Sequence, residues 1–183
     1  MSANRPLWGL LSRRSGYSAT ASELYGRLVA QARQPVFYAA LGVPDTPEGR
    51  LELVIMHVVL MLRRLGREGG AQAQLAQALS EAFCTDMDDC LREMGVGDIS
   101  VAKKVKKAAA ALFDRSRDYG KALEAGDSEG LSELIARHVL EAAGADAKSR
   151  RIAAYMCEMD TALGVAGLAQ VLAGEARLPS ITI

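Results

Sequence analysis

Apolar residues recur along most of this chain at steps of three and four, and the alternation expected of strands is absent. No proline lies between Pro47 and Pro179, and the residues that dominate there (Ala, Leu, Arg, Glu, Gln, Lys) are favourable in helix interiors. A first helix is predicted to open at the capping box Thr20-Ala21-Ser22-Glu23 and to close before Pro35. A short helical turn follows from Pro35 to Leu41, stopped by Gly42. In Val43-Pro44-Asp45-Thr46-Pro47-Glu48, Thr46 suits an N-cap, Pro47 the first helical position, and Glu48 the positive end of the helix dipole. The third helix then runs to about Leu65, with Gly66 fitting its C-terminal stop. It is apolar nearly all round, which predicts the central buried helix.

The fourth helix covers 70–94, where Leu75, Leu79, Phe83, Met87, Leu91 and Met94 make one stripe that Gly95 ends. After the loop Gly95–Ser100, Val101, Val105, Leu112 and Phe113 mark the inner face of the fifth. Gly126 and Asp127 end that helix and cap the next, whose inner face is Leu131, Leu134, Ile135 and Val139. Asp146 opens a last helix carrying Ile152, Tyr155, Met156, Met159 and Leu163 and reaching about Leu172. The fold class expected is all-α, a single-domain bundle of about six to seven helices with no sheet and no solenoid repeat. Residues 1–19 read as a flexible basic tail, 20–174 as the helical domain and 175–183 as a C-terminal tail.

Composition narrows the function classes. A chain of 183 residues fills one domain. Twenty-two basic side chains against 22 acidic ones argue against a dedicated DNA binder. Cys84, Cys90 and Cys157 are odd in number and have no CxxC spacing, so a reducing compartment is the simple reading. The longest apolar runs, Leu53–Leu62 around His57 and Thr161–Gly174 around Gln170, fall short of a bilayer span. Residues 1–22 hold Arg5, Arg13 and Arg14 and no acid, a composition shared by transit peptides but read here as a solvated tail.

No metal or catalytic constellation emerges. His57 has Leu53 and Met61 at helical spacing and reads as a satisfied core histidine; no Glu-x-x-His pair accompanies His138. Asp86-Met87-Asp88-Asp89 lacks the glycine of a calcium loop. The charge pattern is more informative: the acids Asp86, Asp88, Asp89, Glu93 and Asp98 are followed at once by Lys103, Lys104, Lys106 and Lys107. Either the acidic helix neutralises the lysines, or they are a contact site for anionic lipid, ribosomal RNA or an acidic protein segment. Gly164 and Gly167 in the second apolar run suit close helix packing within the chain, with docking of a client transmembrane helix as the alternative.

Three stretches resemble the ubiquinol–cytochrome c chaperone family: LYGRLVAQARQPVFYAALGVPDTPEGRLELVIMHVVLMLRRL (24–65), ALSEAFCTDMDDCLREMGVGDISVAKKVKK (78–107), and Arg115…Tyr119 with Ala122-Leu123. VPDTPEGR and DMDDCLREMGVGD are the specific parts, and the likeness covers roughly 24–140; residues 145–183 carry none of it. The family is expected to differ at Asp114, His138 and Leu140. The resemblance implies an assembly chaperone rather than an enzyme, without cofactor or metal, that binds newly made cytochrome b during biogenesis of the ubiquinol–cytochrome c reductase complex. It also implies a ribosome and a small partner protein as further contacts, while an anionic membrane surface is a contact that the lysine cluster itself would suit. The Ala-rich composition suggests a bacterial member, cytoplasmic and peripheral to the inner membrane; a eukaryotic one would lie in the mitochondrial matrix.

On that footing Asp88, Arg92 and Glu93 are candidate polar contacts to the client, and Lys103, Lys104 and Lys107 the electrostatic arm. Gly95, Gly97 and Asp98 shape the loop between them, and Asp45 and Arg50 fix the start of helix three. Two other classes stay open: a haem- or lipid-binding module around His57, and a scaffold that self-associates through Gly164–Leu172.

Overall fold

The computed structural model describes residues 8–181. Among the described residues, eight α-helices carry the regular structure: α1 (Trp8–Ala32), α2 (Pro35–Ala39), α3 (Pro47–Arg67), α4 (Gly70–Glu93), α5 (Asp98–Ala125), α6 (Ser128–His138), α7 (Ala147–Val165) and α8 (Leu168–Ala173). They form one all-helical bundle, and among the described residues there is no strand.

The centre is α3. From Leu53 to Met61 every residue is buried, because α1, α4, α5 and α7 all pack against this helix. Its start explains the VPDTPEGR segment residue by residue. Val43 is buried in the core, Thr46 caps the helix by accepting from the Gly49 amide at 3.1 Å, and Pro47 takes the first turn. A Cβ on Gly49 would lie 2.1 Å from the Pro44 carbonyl oxygen, so only glycine lets the incoming strand of chain cross the first turn this closely. Asp45 and Arg50 pair at 2.6 Å on the surface above it.

His57 is the polar centre of this core. Its Nδ1–H donates to the Leu53 carbonyl at 2.7 Å, and its Nε2 accepts from the Tyr155 hydroxyl at 3.0 Å. The Tyr155 oxygen in turn accepts from Gln31 at 3.1 Å, and Phe37 lies edge-on to both rings. One imidazole thus ties α1, α3 and α7 together, as a satisfied core histidine with both nitrogens occupied. Burial pushes its pKa down from 6.5 to about 4, against the pull of the Leu53 carbonyl.

The folded state therefore holds His57 neutral. Stability is fully present above pH 6.5 and is lost as the pH falls toward 4, by up to about 3 kcal/mol. Half-buried His138, also lowered to about 4 by burial and then by Arg115 and Arg137, adds to the acid loss. Urea titrations of the wild type and His57→Gln across this range isolate the His57 share as a shallower acid limb in the variant.

At the far end of α3, three arginines clamp the neighbouring helices. Arg63 reaches Asp160 on α7 at 3.2 Å and the Gly120 carbonyl and Glu124 carboxylate on α5 at 3.2 and 2.9 Å. Arg67 meets Asp160 at 2.6 Å, and Arg64 donates to the Ala166 carbonyl just past α7 at 3.2 Å. Arg27 of α1 holds the Leu172 carbonyl at the end of α8.

The structure departs from the sequence reading at several ends. Helix α1 begins at Trp8, so residues 8–19 are helical rather than tail, and 1–7 lie outside the described residues. The Thr20–Glu23 pattern sits inside the helix, where Ser22 bonds back to the Ser18 carbonyl instead of capping. Gly66 is interior to α3, and the positive φ falls at Gly69. The last predicted helix breaks at Ala166-Gly167, where Ala166 turns extended (φ −70°, ψ 140°), giving α7 and α8. Ile181, expected in a tail, is buried against the core.

Candidate functional site

The predicted contact residues converge on the corner where α4 hands over to α5. Helix α4 stops by a Schellman turn: the Val96 amide donates to the Leu91 carbonyl at 3.1 Å and the Gly95 amide to the Arg92 carbonyl at 2.9 Å. Gly95 at φ +75° supplies the left-handed residue this closure needs. Gly97, expected as a second loop former, has an ordinary φ of −65°, and a Cβ there would meet open space. It is the N-cap residue of α5, and the geometry places no demand for glycine on it.

Arg92 locks the corner. It meets Asp88 one turn back on α4 and Asp98 in the first turn of α5, each at 2.5 Å. Those contacts raise the guanidinium's already high pKa, so it is charged at any working pH. Asp86, a turn deeper, accepts from the Tyr25 hydroxyl of α1 at 2.7 Å. The acidic block is thus spent on Tyr25 and Arg92, apart from Asp89 and Glu93, which stand exposed.

Lys103, Lys104, Lys106 and Lys107 are all exposed, and none of them has an ion-pair partner among the described residues. No ion pair joins them to the preceding acidic helix among the described residues. A row of uncompensated like charges on one helix costs self-repulsion that an anionic partner would relieve.

Two apolar side chains that sequence reasoning turned inward are exposed, one at this corner and one farther along α5, and a third stands out beside the first. Met94, the end of the α4 stripe, is 60% exposed, and Phe113, assigned to the inner face of α5, is 70% exposed; Ile99 is 91% exposed. The α4 stripe runs past the edge of the bundle at its last turn. On α5, Leu112 is buried, so the adjacent Phe113 points away from the core.

Asp45 and Arg50 are not part of this corner; they pair with each other over a shallow hollow shared with Arg33 and Tyr38. Farther along, α5 is anchored to α3 by a pair that sequence reasoning also missed. Arg115 meets Glu52 of α3 through two hydrogen bonds, 2.9 and 3.1 Å, in a largely buried setting beside the buried Tyr119 hydroxyl. Burial pushes the Glu52 carboxyl up, and Arg115 opposes it. Cys84, Cys90 and Cys157 are half-buried free thiols, each raised chiefly by burial. No group of three or more His, Cys, Asp or Glu side chains is placed to hold a metal among the described residues. No helix there is long and apolar enough to cross a membrane.

This architecture has relatives. The profile of the ubiquinol-cytochrome C chaperone family matches residues 39–178. The chain belongs to that family. The match runs on through α6, α7 and α8, so the family likeness extends past the residue 140 at which the sequence comparison had it fade. In three dimensions the chain is similar to the Cbp3 homolog from Brucella abortus, known from a crystal structure, with 33% identity and a TM-score of 0.80. The similarity covers 96% of this chain and 98% of that one. No curated protein matches. Within the family domain, the Arg92 lock joins the end of α4 to the start of α5, and the lysines that follow stay exposed.

Proposed function

We propose that this chaperone binds newly made cytochrome b during assembly of the ubiquinol–cytochrome c reductase complex, and that it works at the inner face of the membrane in which that client is placed. The observation that carries the reading is the α4–α5 corner: unpaired lysines beside exposed Met94 and Ile99 on a rigidly closed turn. A client of alternating apolar spans and short polar loops offers both kinds of contact. Lys103, Lys104 and Lys107 would meet acidic groups of the client, Met94 and Ile99 its apolar surface, and Glu93 its basic loop residues. Asp88, Arg92 and Asp98 act mainly by holding the corner's shape, since their charges are already paired. Gly95 allows the turn. Chemistry on a substrate is not part of the reading: it needs only a surface.

Changing Lys103, Lys104 and Lys107 together to Glu is expected to cut cytochrome b capture from detergent-solubilised membranes at least tenfold, with circular dichroism unchanged. Undiminished capture by the folded variant would remove this corner from the site.

A further inference from the structure

Residues 99, 103, 106, 110 and 113 of α5 follow one another at steps of four and three and so share one face. That face points away from the core, since Val101, Ala108, Leu112 and Tyr119, on the opposite side, are buried. It reads Ile99, Lys103, Lys106, Ala110, Phe113: two large apolar side chains, 91% and 70% exposed, with two exposed and unpaired lysines between them. From Ile99 to Phe113 it is about 21 Å long, at 1.5 Å rise per residue. Lys107 flanks it, while the acids beside it on α5 are engaged: Asp98 by Arg92, and Asp114 and Asp118 by Arg117 at 3.3 and 2.9 Å. The face is therefore basic along its first half and ends in an aromatic anchor.

We propose that this outward face of α5 seats the protein on an anionic lipid surface, with Lys106 at the headgroups and Phe113 inserted at the acyl boundary, while Ile99 and Lys103 at its other end stay with the client. An anionic bilayer supplies what both halves lack, a field of negative charge and an apolar layer beneath it, in one plane. A nucleic acid would satisfy the lysines and leave Phe113 in water, so lipid is the better fit. The inference rests on the proposed function only for the choice of workplace; its key residues, Lys106 and Phe113, lie outside the client-contact set.

The test is co-sedimentation of the full chain with phosphatidylcholine vesicles, with and without phosphatidylglycerol, for the wild type, Lys106→Glu and Phe113→Ser. Expected are binding to the anionic vesicles alone, release by salt, and roughly tenfold weaker binding for each variant. Both variants should keep their helical spectrum and capture cytochrome b in detergent as the wild type does. Absent vesicle binding, equal binding by the folded variants, or binding to a short RNA in place of vesicles would overturn the proposal. So would loss of capture with vesicle binding intact, which would assign the face to the client. Vesicle binding without any capture of cytochrome b by the wild type would instead sink the functional reading and leave this one standing.

Discussion

Replacing Arg115 by methionine is expected to destabilise the protein by about 3–5 kcal/mol. The reason is what it leaves behind. Glu52 and Arg115 are largely buried between α3 and α5, and two parallel hydrogen bonds satisfy the carboxylate. Methionine fills much of the arginine's volume but strands Glu52, whose burial already raises its pKa. The variant should respond by taking up a proton at Glu52, so its stability should recover partly as the pH is lowered into the carboxylate range, the reverse of the His57 effect. Removing both charges, as Glu52→Gln with Arg115→Met, should recover most of the loss, because a buried pair is costly to break and cheap to replace. Urea unfolding of the two single variants and the double variant measures this. A loss below about 1 kcal/mol for Arg115→Met would show that the pair is solvated and not the anchor of α5.

The second large effect is expected at Gly49, where alanine should cost about 3 kcal/mol, the upper part of the range for overpacking. The added methyl would fall 2.1 Å from the Pro44 oxygen, and that neighbour is backbone fixed between Val43, buried in the core, and Pro47. It cannot move aside as a side chain could, so the first turn of α3 must shift and weaken the Thr46 cap. Gly97→Ala is the control. With open space around its Cβ and an ordinary φ, it should change stability by no more than about 0.5 kcal/mol. Equal midpoints for Gly49→Ala and the wild type would mean that the chain before α3 is free to yield.

Local signals carried much of the fold. Thr46 and Pro47, Gly95, Gly126 with Asp127, and Asp146 stand where the sequence places them, because a cap is an interaction between residues three or four apart. The buried character of α3 was legible for the same reason: a helix apolar all round has only one place to go. What failed needed tertiary information. Leu112 and Phe113 are 100° apart on one helix, and nothing local says which of the two the core admits. The capping box at Thr20 is equally at home inside a helix that simply continues, as α1 does. Glu52 and Arg115 are 63 residues apart and Arg63 and Asp160 are 97 apart, so neither pairing leaves a periodic trace.

The site shows the same division. That acids precede lysines is plain in the sequence, but which of them neutralise each other depends on where Arg92 reaches. Its two carboxylate contacts, across the turn and back along α4, leave the lysines without partners among the described residues. The apolar half of the corner was hidden, because exposure of Met94 and Ile99 depends on where the bundle ends.

The most direct test of the central claim is site-specific crosslinking in cells. A photo-activatable residue placed at Lys104 or Met94 is predicted to form an adduct with newly made cytochrome b, identified by mass spectrometry, while the same probe at exposed Glu133 on α6 should form none. Adducts from Glu133 and none from the α4–α5 corner would contradict the account.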